Sequence, residues 1–233
     1  PVVAGLVGAL FYFVAPPPPL HATMATGVEG GGYRAFAEQL RDELAKQGFE
    51  LTLQPSAGSR DNLERLLADD PQVQIALVQS GLERQLETVD QARLESLGAV
   101  YQEPLWLFLR RDAHFELLSD LLPLRLALGG AGSGTRAASE AVLAINGIAA
   151  EQYPSHWQTL GGSKAEPALN AGELDAAFFV SPAGNARIQR LAANPDLVLA
   201  HFRRAAAYQA HLPFLKQLRI GEGLLNLELN TPA

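Results

Sequence analysis

The chain has 233 residues, 48% of them hydrophobic, and its 18 Lys and Arg stand against 25 Asp and Glu for a formal charge of -7. That apolar content can bury a core in one large or two small domains, and the acid excess argues against nucleic acid, whose phosphates need a surplus of basic residues. With no cysteine present, a disulfide framework, a thiolate metal site and a cysteine nucleophile are all excluded.

The N-terminus differs from the rest. Residues 2–15, within "PVVAGLVGALFYFVA", are apolar throughout, and four prolines follow at once. A bilayer-spanning helix needs about 20 apolar residues, so this shorter run reads as the end of a membrane anchor or the h-region of a signal peptide. A buried core helix is the bland alternative, although such a helix does not normally run straight into four prolines. The prolines predict a stiff polyproline II spacer. Residues 1–20 are assigned to this segment, and the globular part is expected outside the cytoplasm.

From His21 the pattern alternates: strand "ATMAT", glycine-rich turn, helix "YRAFAEQLRDELAKQ", strand "ELTLQPS", helix "RDNLERLLADD", strand "VQIALVQS". Phe36, Leu40 and Leu44 make an apolar helical stripe, and Gly48 stops that helix. Strict alternation predicts βαβ units and a parallel sheet. The near-continuous apolar run "VQIALV" predicts a strand covered on both faces.

After "LGAVYQEPLWLFLRRD" the alternation repeats: strand "RLALGG", loop, helix "TRAASEAVLAIN", then "HWQTLGG", a short helix around "KAEPALNAGELD", strand "AAFFVSP" and helix "GNARIQRLAAN". The reading is therefore two α/β lobes joined by the strands "PLWLFLR" and "DLVLAHF". The first lobe spans residues 21–104, with residues 203–233 returning to it, and the second spans residues 105–202.

Each lobe opens with a strand, a glycine-dense turn and a helix start: "MATGVEGGGYRAFAEQL" and "ALGGAGSGTRAASEAV". Glycine lets a ligand approach the main chain, and a helix start offers unpaired N–H donors and the positive dipole end, which suits a carboxylate or phosphate. Neither loop is followed by the lysine of a P-loop, and neither has the G-x-G-x-x-G spacing of a dinucleotide fold. A tight turn with no ligand is the plain alternative for either loop alone; two at matching places favour binding. Val78 stands where a nucleophile elbow needs its first glycine, the five histidines show no H-x-x-x-H pair, and no carboxylate pair stands out for acid–base work. No enzyme, metal or cofactor is read here.

The segments "ATGVEGGGYRAFAEQL", "SAGSRDNLERL", "VQIALVQSG", "YQEPLWLFLRRD", "GGAGSGTRAASEAVLAINGI" and "NAGELDAAFFV" together resemble the TAXI-family solute-binding receptors of TRAP transporters, in order from about Ala25 to Ala205. The resemblance implies a bilobal type II periplasmic-binding-protein-like fold that closes on a small organic anion or an amino acid such as glutamate and delivers it to membrane permease subunits. It also implies a periplasmic location, with the N-terminal segment as inner-membrane anchor. Carried over residue by residue, Gly27, Val28 and Tyr33 line one wall, Ser56 and Ser59 stand beside it, and Gln79 and Ser80 end the third strand. Ser133, Gly134 and Thr135 supply donors from the second lobe, and Arg136 is a candidate for a bidentate carboxylate contact.

The sequence departs from the family pattern in having Val28 for a usual glycine, Gly81 for a common acid, and Glu29 in the first loop. The chain also stops at "LLNLELNTPA", before elements that normally complete the first lobe, so a fragment is expected. A membrane-anchored sensing or interaction domain, and a small-molecule transferase on the same fold, are the other readings left open.

Overall fold

The chain's longest buried strand, β4 (Leu105–Arg110), explains the architecture of its second half. Trp106 and Phe108 point into one apolar cluster, and Leu107 and Leu109 into another on the opposite face, as the two-residue period of a strand requires. The computed structural model describes residues 18–232 together with Val3 and Gly5. Those two residues apart, the apolar segment expected as an anchor or signal lies outside the described residues. Among the described residues no helix is long and apolar enough to cross a membrane.

The first sheet contains β1 (His21–Ala25), β2 (Glu50–Gln54) and β3 (Ile75–Ala76), in the order β2-β1-β3. Both pairings are parallel, with β1 and β2 in register from His21 opposite Glu50 to Ala25 opposite Gln54. Helices α1 (Gly32–Ala45) and α2 (Ser59–Leu66) make the crossovers. The expected stripe of Phe36, Leu40 and Leu44 packs on Met24, Leu51 and Leu77. Gly48 takes a positive φ of 80°, which lets Phe49 N–H return to the Leu44 carbonyl at 3.1 Å and close the helix end. The segment "VQIALVQS" forms only two residues of strand, paired with β1 at the edge of the sheet.

A short helix α3 (Thr88–Gln91) and an irregular stretch lead to β4. The second sheet adds β5 (Leu126–Ala127), β6 (Ala176–Val180) and β7 (Leu197–Leu199) in the order β5-β6-β4-β7. It is mixed: β5 and β6 are parallel, whereas β4 runs antiparallel to both β6 and β7. Alternation alone predicts a purely parallel repeat. Entry and exit through adjacent strands β4 and β7 reverse β4 within the sheet. Helix α4 (Gly134–Ala144) covers one face through Val142 and Leu143. Helices α5 (Gly162–Asn170) and α6 (Ala186–Ala192) cover the other through Ala165, Leu169, Ile188 and Leu191. This sheet buried between helix layers is the arrangement in which strands read as continuous apolar runs.

The sequence pattern places residues 203–233 in the first lobe. In the structure Tyr208, on α7 (Ala205–His211), and Leu212 and Leu215 pack with the core of the second sheet, as Ile220 and Leu225 do on its other face. Phe214 reaches the first lobe, where its ring lies against Gly81.

Candidate functional site

The glycine loops after β1 and β5 both lead into helix starts, and the two lobes meet at this level. Gly58, just before α2, has φ of 124°, a conformation that favours glycine. A Cβ there would stand 3.1 Å from Ser133 Cα of the other lobe. The Arg60 backbone N–H donates to the Gly132 carbonyl at 3.1 Å. A Cβ on Gly134 would come within 2.5 Å of Gln79 Oε1 and 3.2 Å of Ser59 Oγ, so a larger residue there must displace the Gln79 side chain. Below these contacts Leu63 and Leu82 of one lobe share an apolar cluster with Ala137 of the other.

Ser59 organises the floor of this junction. It is fully buried; its Oγ lies 2.8 Å from the Tyr33 hydroxyl and accepts the Gln79 backbone N–H at 3.0 Å. One hydroxyl thus ties the starts of α1 and α2 to the end of β3. Asn62, also fully buried, donates its amide to the carbonyls of Thr26 and Leu77 at 2.8 and 2.7 Å, bracing the ends of β1 and β3. Its role had no sequence signal beyond its place in "SAGSRDN".

The residues expected from sequence divide into those at the junction and those turned elsewhere. Tyr33, Ser59, Gln79, Ser133 and Gly134 converge. Gly27 lies next to Tyr33, its added Cβ only 3.2 Å from that of the tyrosine, and Ser56 is buried, its Oγ accepting Gly58 N–H at 3.2 Å. The Ser133 hydroxyl caps α4, accepting Arg136 N–H at 3.1 Å while donating to the Gly130 carbonyl at 2.7 Å. Thr135 Oγ1 accepts the Val180 N–H at 3.0 Å and so holds the end of β6. Val28 and Ser80 are solvent-exposed. Arg136 faces its own lobe, with Glu140 at 2.6 Å, Thr159 at 3.0 Å and the ring of Tyr153 at 5.8 Å.

Glu103, in the segment "YQEPLWLFLRRD" but not among the residues expected at the site, stands at the same junction on the segment entering β4. A Cβ on Gly32, the first residue of α1, would lie 3.2 Å from Pro182 Cδ, 3.6 Å from Glu103 Oε1 and 3.7 Å from the Tyr101 hydroxyl. Burial pushes the Glu103 carboxyl up to about 7, against a smaller opposing effect from the Tyr33 hydroxyl. Burial, with the nearby Glu103 charge, also raises the Tyr33 and Tyr101 phenols well above their ordinary range. Buried Tyr101 Oη and Gln79 Oε1 have no hydrogen-bond partner, so unused polar capacity collects where the lobes touch.

The crevice itself is nearly filled, with a void of about 10 Å³ among Gln79, Leu82, Ala137 and Phe214. A small-molecule site needs roughly 300 Å³ or more, so admission of a solute requires the lobes to part. A larger depression of about 320 Å³, lined by Glu29, Gly31, Arg34 and Glu38, opens on the outer side of the first loop. It lacks the convergence of both lobes. No group of acidic and histidine side chains able to hold a metal occurs among the described residues.

A family model described as the NMT1-like family matches residues 24–226. The chain belongs to that family. No curated protein matches the sequence significantly. Among solved structures, this NMT1-like chain is similar to an ancestral arginine-binding protein bound to arginine, at 11% identity and a TM-score of 0.53 over 78% of this chain and 79% of that one. It is similar also to the AvGluR1 ligand binding domain in complex with methionine, at 13% identity and a TM-score of 0.51 over 78% and 76% of the two chains. XAC2383 from Xanthomonas citri bound to ATP gives 14% identity and a TM-score of 0.50 over 78% and 72%. At these identities the likeness is one of fold: a bilobal α/β fold of the periplasmic-binding-protein type.

Proposed function

We propose that this chain is a solute receptor that captures a small organic anion or an amino acid between its lobes and presents it to a membrane permease. The observation that carries this reading is the direct meeting of two helix starts, those of α2 and α4, through Arg60 N–H, Gly132, Gly58 and Ser133. The Arg60 N–H, which the Gly132 carbonyl satisfies while the lobes touch, becomes available to a solute when the lobes part. The solute-bound structures of similar fold support the same reading. The TAXI-type resemblance supports a TRAP-type permease as partner and a periplasmic location, with residues 1–20 as the anchoring or export segment. The proposed wall comprises Gly27, Tyr33, Ser56, Ser59 and Gln79 from the first lobe and Ser133, Gly134 and Thr135 from the second.

A helix N-terminus contributes about 0.3–1 kcal/mol and at most about 2 when partly buried, whereas micromolar affinity needs about 8 kcal/mol. Two helix starts are therefore not enough. Closure supplies the remainder by adding direct hydrogen bonds and excluding water from them, and the closed form is then the one a permease distinguishes. Titration calorimetry against amino acids and small organic acids tests the proposal. Saturable heat with at least one of them is expected, and none with any of them contradicts it. A membrane-anchored sensing domain is the second reading; it predicts the same binding without affinity for a permease.

A further inference from the structure

The lobe junction holds a carboxylate with no cation beside it. Glu103 sits where three parts of the chain converge: the start of α1 at Gly32, the entry to β4, and the turn after β6 at Pro182. Among the described residues every ion pair of 4.0 Å or less involves other acids, so no Lys, Arg or His pairs with Glu103. The side chains facing it are the phenols of Tyr33 and Tyr101. Tyr101 Oη is buried without a partner, and so is Gln79 Oε1, an oxygen that can only accept.

A half-buried carboxylate without a counter-charge is costly. A fold that merely needed a polar spacer there has cheaper choices, and an anionic solute brought to this point would meet repulsion. A carboxylate and two phenol oxygens instead match the hydrogen-bonding needs of an ammonium group. The opposite side of the junction lies at the starts of α2 and α4, where Arg65 neutralises Asp61 and the Arg60 N–H released from Gly132 on opening suits an anion. The two halves of the site thus have opposite electrostatic character.

We propose that Glu103, with Tyr33 and Tyr101, forms the subsite for a positively charged nitrogen, so that the solute is an amine-bearing zwitterion and not a simple organic anion. This rests on the solute-receptor reading and narrows it from "anion or amino acid" to the second class. Glu103 acts here as a specificity-determining residue: it rejects a solute that carries carboxylates alone and grips one that also carries an ammonium.

The test is titration calorimetry on the full chain with the common amino acids and, for each, the matching acid that lacks the amine, for example glutamate against glutarate. Wild-type protein is expected to bind at least one amino acid and to bind its deaminated partner at least 10-fold more weakly. Glu103→Gln is expected to lose at least 10-fold in affinity for the amino acid and to narrow that ratio, with its unliganded melting temperature no lower than wild type at pH 8. Tyr101→Phe, which removes only the unpartnered hydroxyl, is expected to weaken the amino acid more than the deaminated acid. If a deaminated acid binds as tightly as its amino acid, or Glu103→Gln keeps both affinity and ratio, the subsite is wrong while solute binding stands. If no compound of either set binds the wild type, the solute-receptor reading fails and the subsite fails with it.

Discussion

The backbone N–H of Arg60, in the first turn of α2, donates to the carbonyl of Gly132 in the other lobe at 3.1 Å. A helix start in one α/β unit is thereby satisfied by the glycine loop of the other. The same donor faces the crevice in which a solute is proposed to bind, so closing the lobes and binding the solute draw on the same groups.

Gly58→Val tests whether this closeness matters. The substitution forces a β-branched residue to φ of 124° and places its Cβ 3.1 Å from Ser133 Cα. Backbone strain of about 1–3 kcal/mol is joined by a clash across the junction. Small-angle scattering is expected to show a larger radius of gyration than wild type, and solute affinity is expected to fall at least 10-fold. An unchanged radius contradicts a tight contact between Gly58 and Ser133.

Asn62→Ala removes two buried hydrogen bonds, to the carbonyls of Thr26 and Leu77, and leaves both acceptors without their partner. A loss of about 2–3 kcal/mol is expected, or roughly 4–12 °C in melting temperature for a chain of this size. Thermal unfolding followed by circular dichroism measures it. A shift below about 2 °C, the least that 1 kcal/mol produces, contradicts a bracing role.

Arg136→Ala separates the site from a residue that sequence alone places in it. Its guanidinium is engaged by Glu140, Thr159 and the Tyr153 ring within its own lobe. Solute affinity is expected to change by less than about threefold, and stability by about 0.5–1 kcal/mol, as for a partly exposed ion pair. A 100-fold loss of affinity contradicts the geometry.

Glu103 gives the unliganded protein a pH dependence of definite sign. Its carboxyl titrates near 7 in the folded chain against 4.5 as an ordinary value, so folding favours the protonated form. The associated stability is fully present below pH 4.5 and is lost as pH rises through 7. The facing phenols, Tyr33 and Tyr101, stay neutral over this window because burial raises both. Denaturant unfolding at pH 5.5 and 8 is expected to show wild type losing about 2 kcal/mol relative to Glu103→Gln. Parallel pH profiles for the two proteins contradict the assignment. Amine binding is expected to run the other way, strengthening as pH rises through 7 and the carboxylate ionises.

Much of the fold is legible in the sequence because local pattern and packing agree. "LWLFLR" and "AAFFV" are apolar on both faces and sit between helix layers, while the stripe of Phe36, Leu40 and Leu44 meets the first sheet as the helical period requires. The short extent of β3 and the reversed direction of β4 are not legible, since both depend on which strands lie alongside. The site shows the same division. The glycine loops and "SAGS" announce themselves through composition, and Tyr33, Ser59, Gln79, Ser133 and Gly134 do meet. Arg136 is not a crevice residue because its partners lie four and 23 residues further along the chain. Glu103 lies in a segment that carries the family resemblance, but its place at the site is not legible there, because one acid before a proline has no pattern of its own; the convergence of Gly32, Tyr101 and Pro182 around it marks it.

A solute held between the two glycine loops must lie against Gly134, where a Cβ would stand 2.5 Å from Gln79 Oε1 in the closed crevice. Titration calorimetry comparing wild type with Gly134→Val, using whichever amino acid binds the wild type most tightly, reads this directly. The variant helix start remains exposed to solvent whenever the lobes are apart, so the substitution acts on closure. At least a 10-fold loss of affinity is expected, with an unchanged far-ultraviolet circular dichroism spectrum. Undiminished affinity in Gly134→Val rules out a site between the loops.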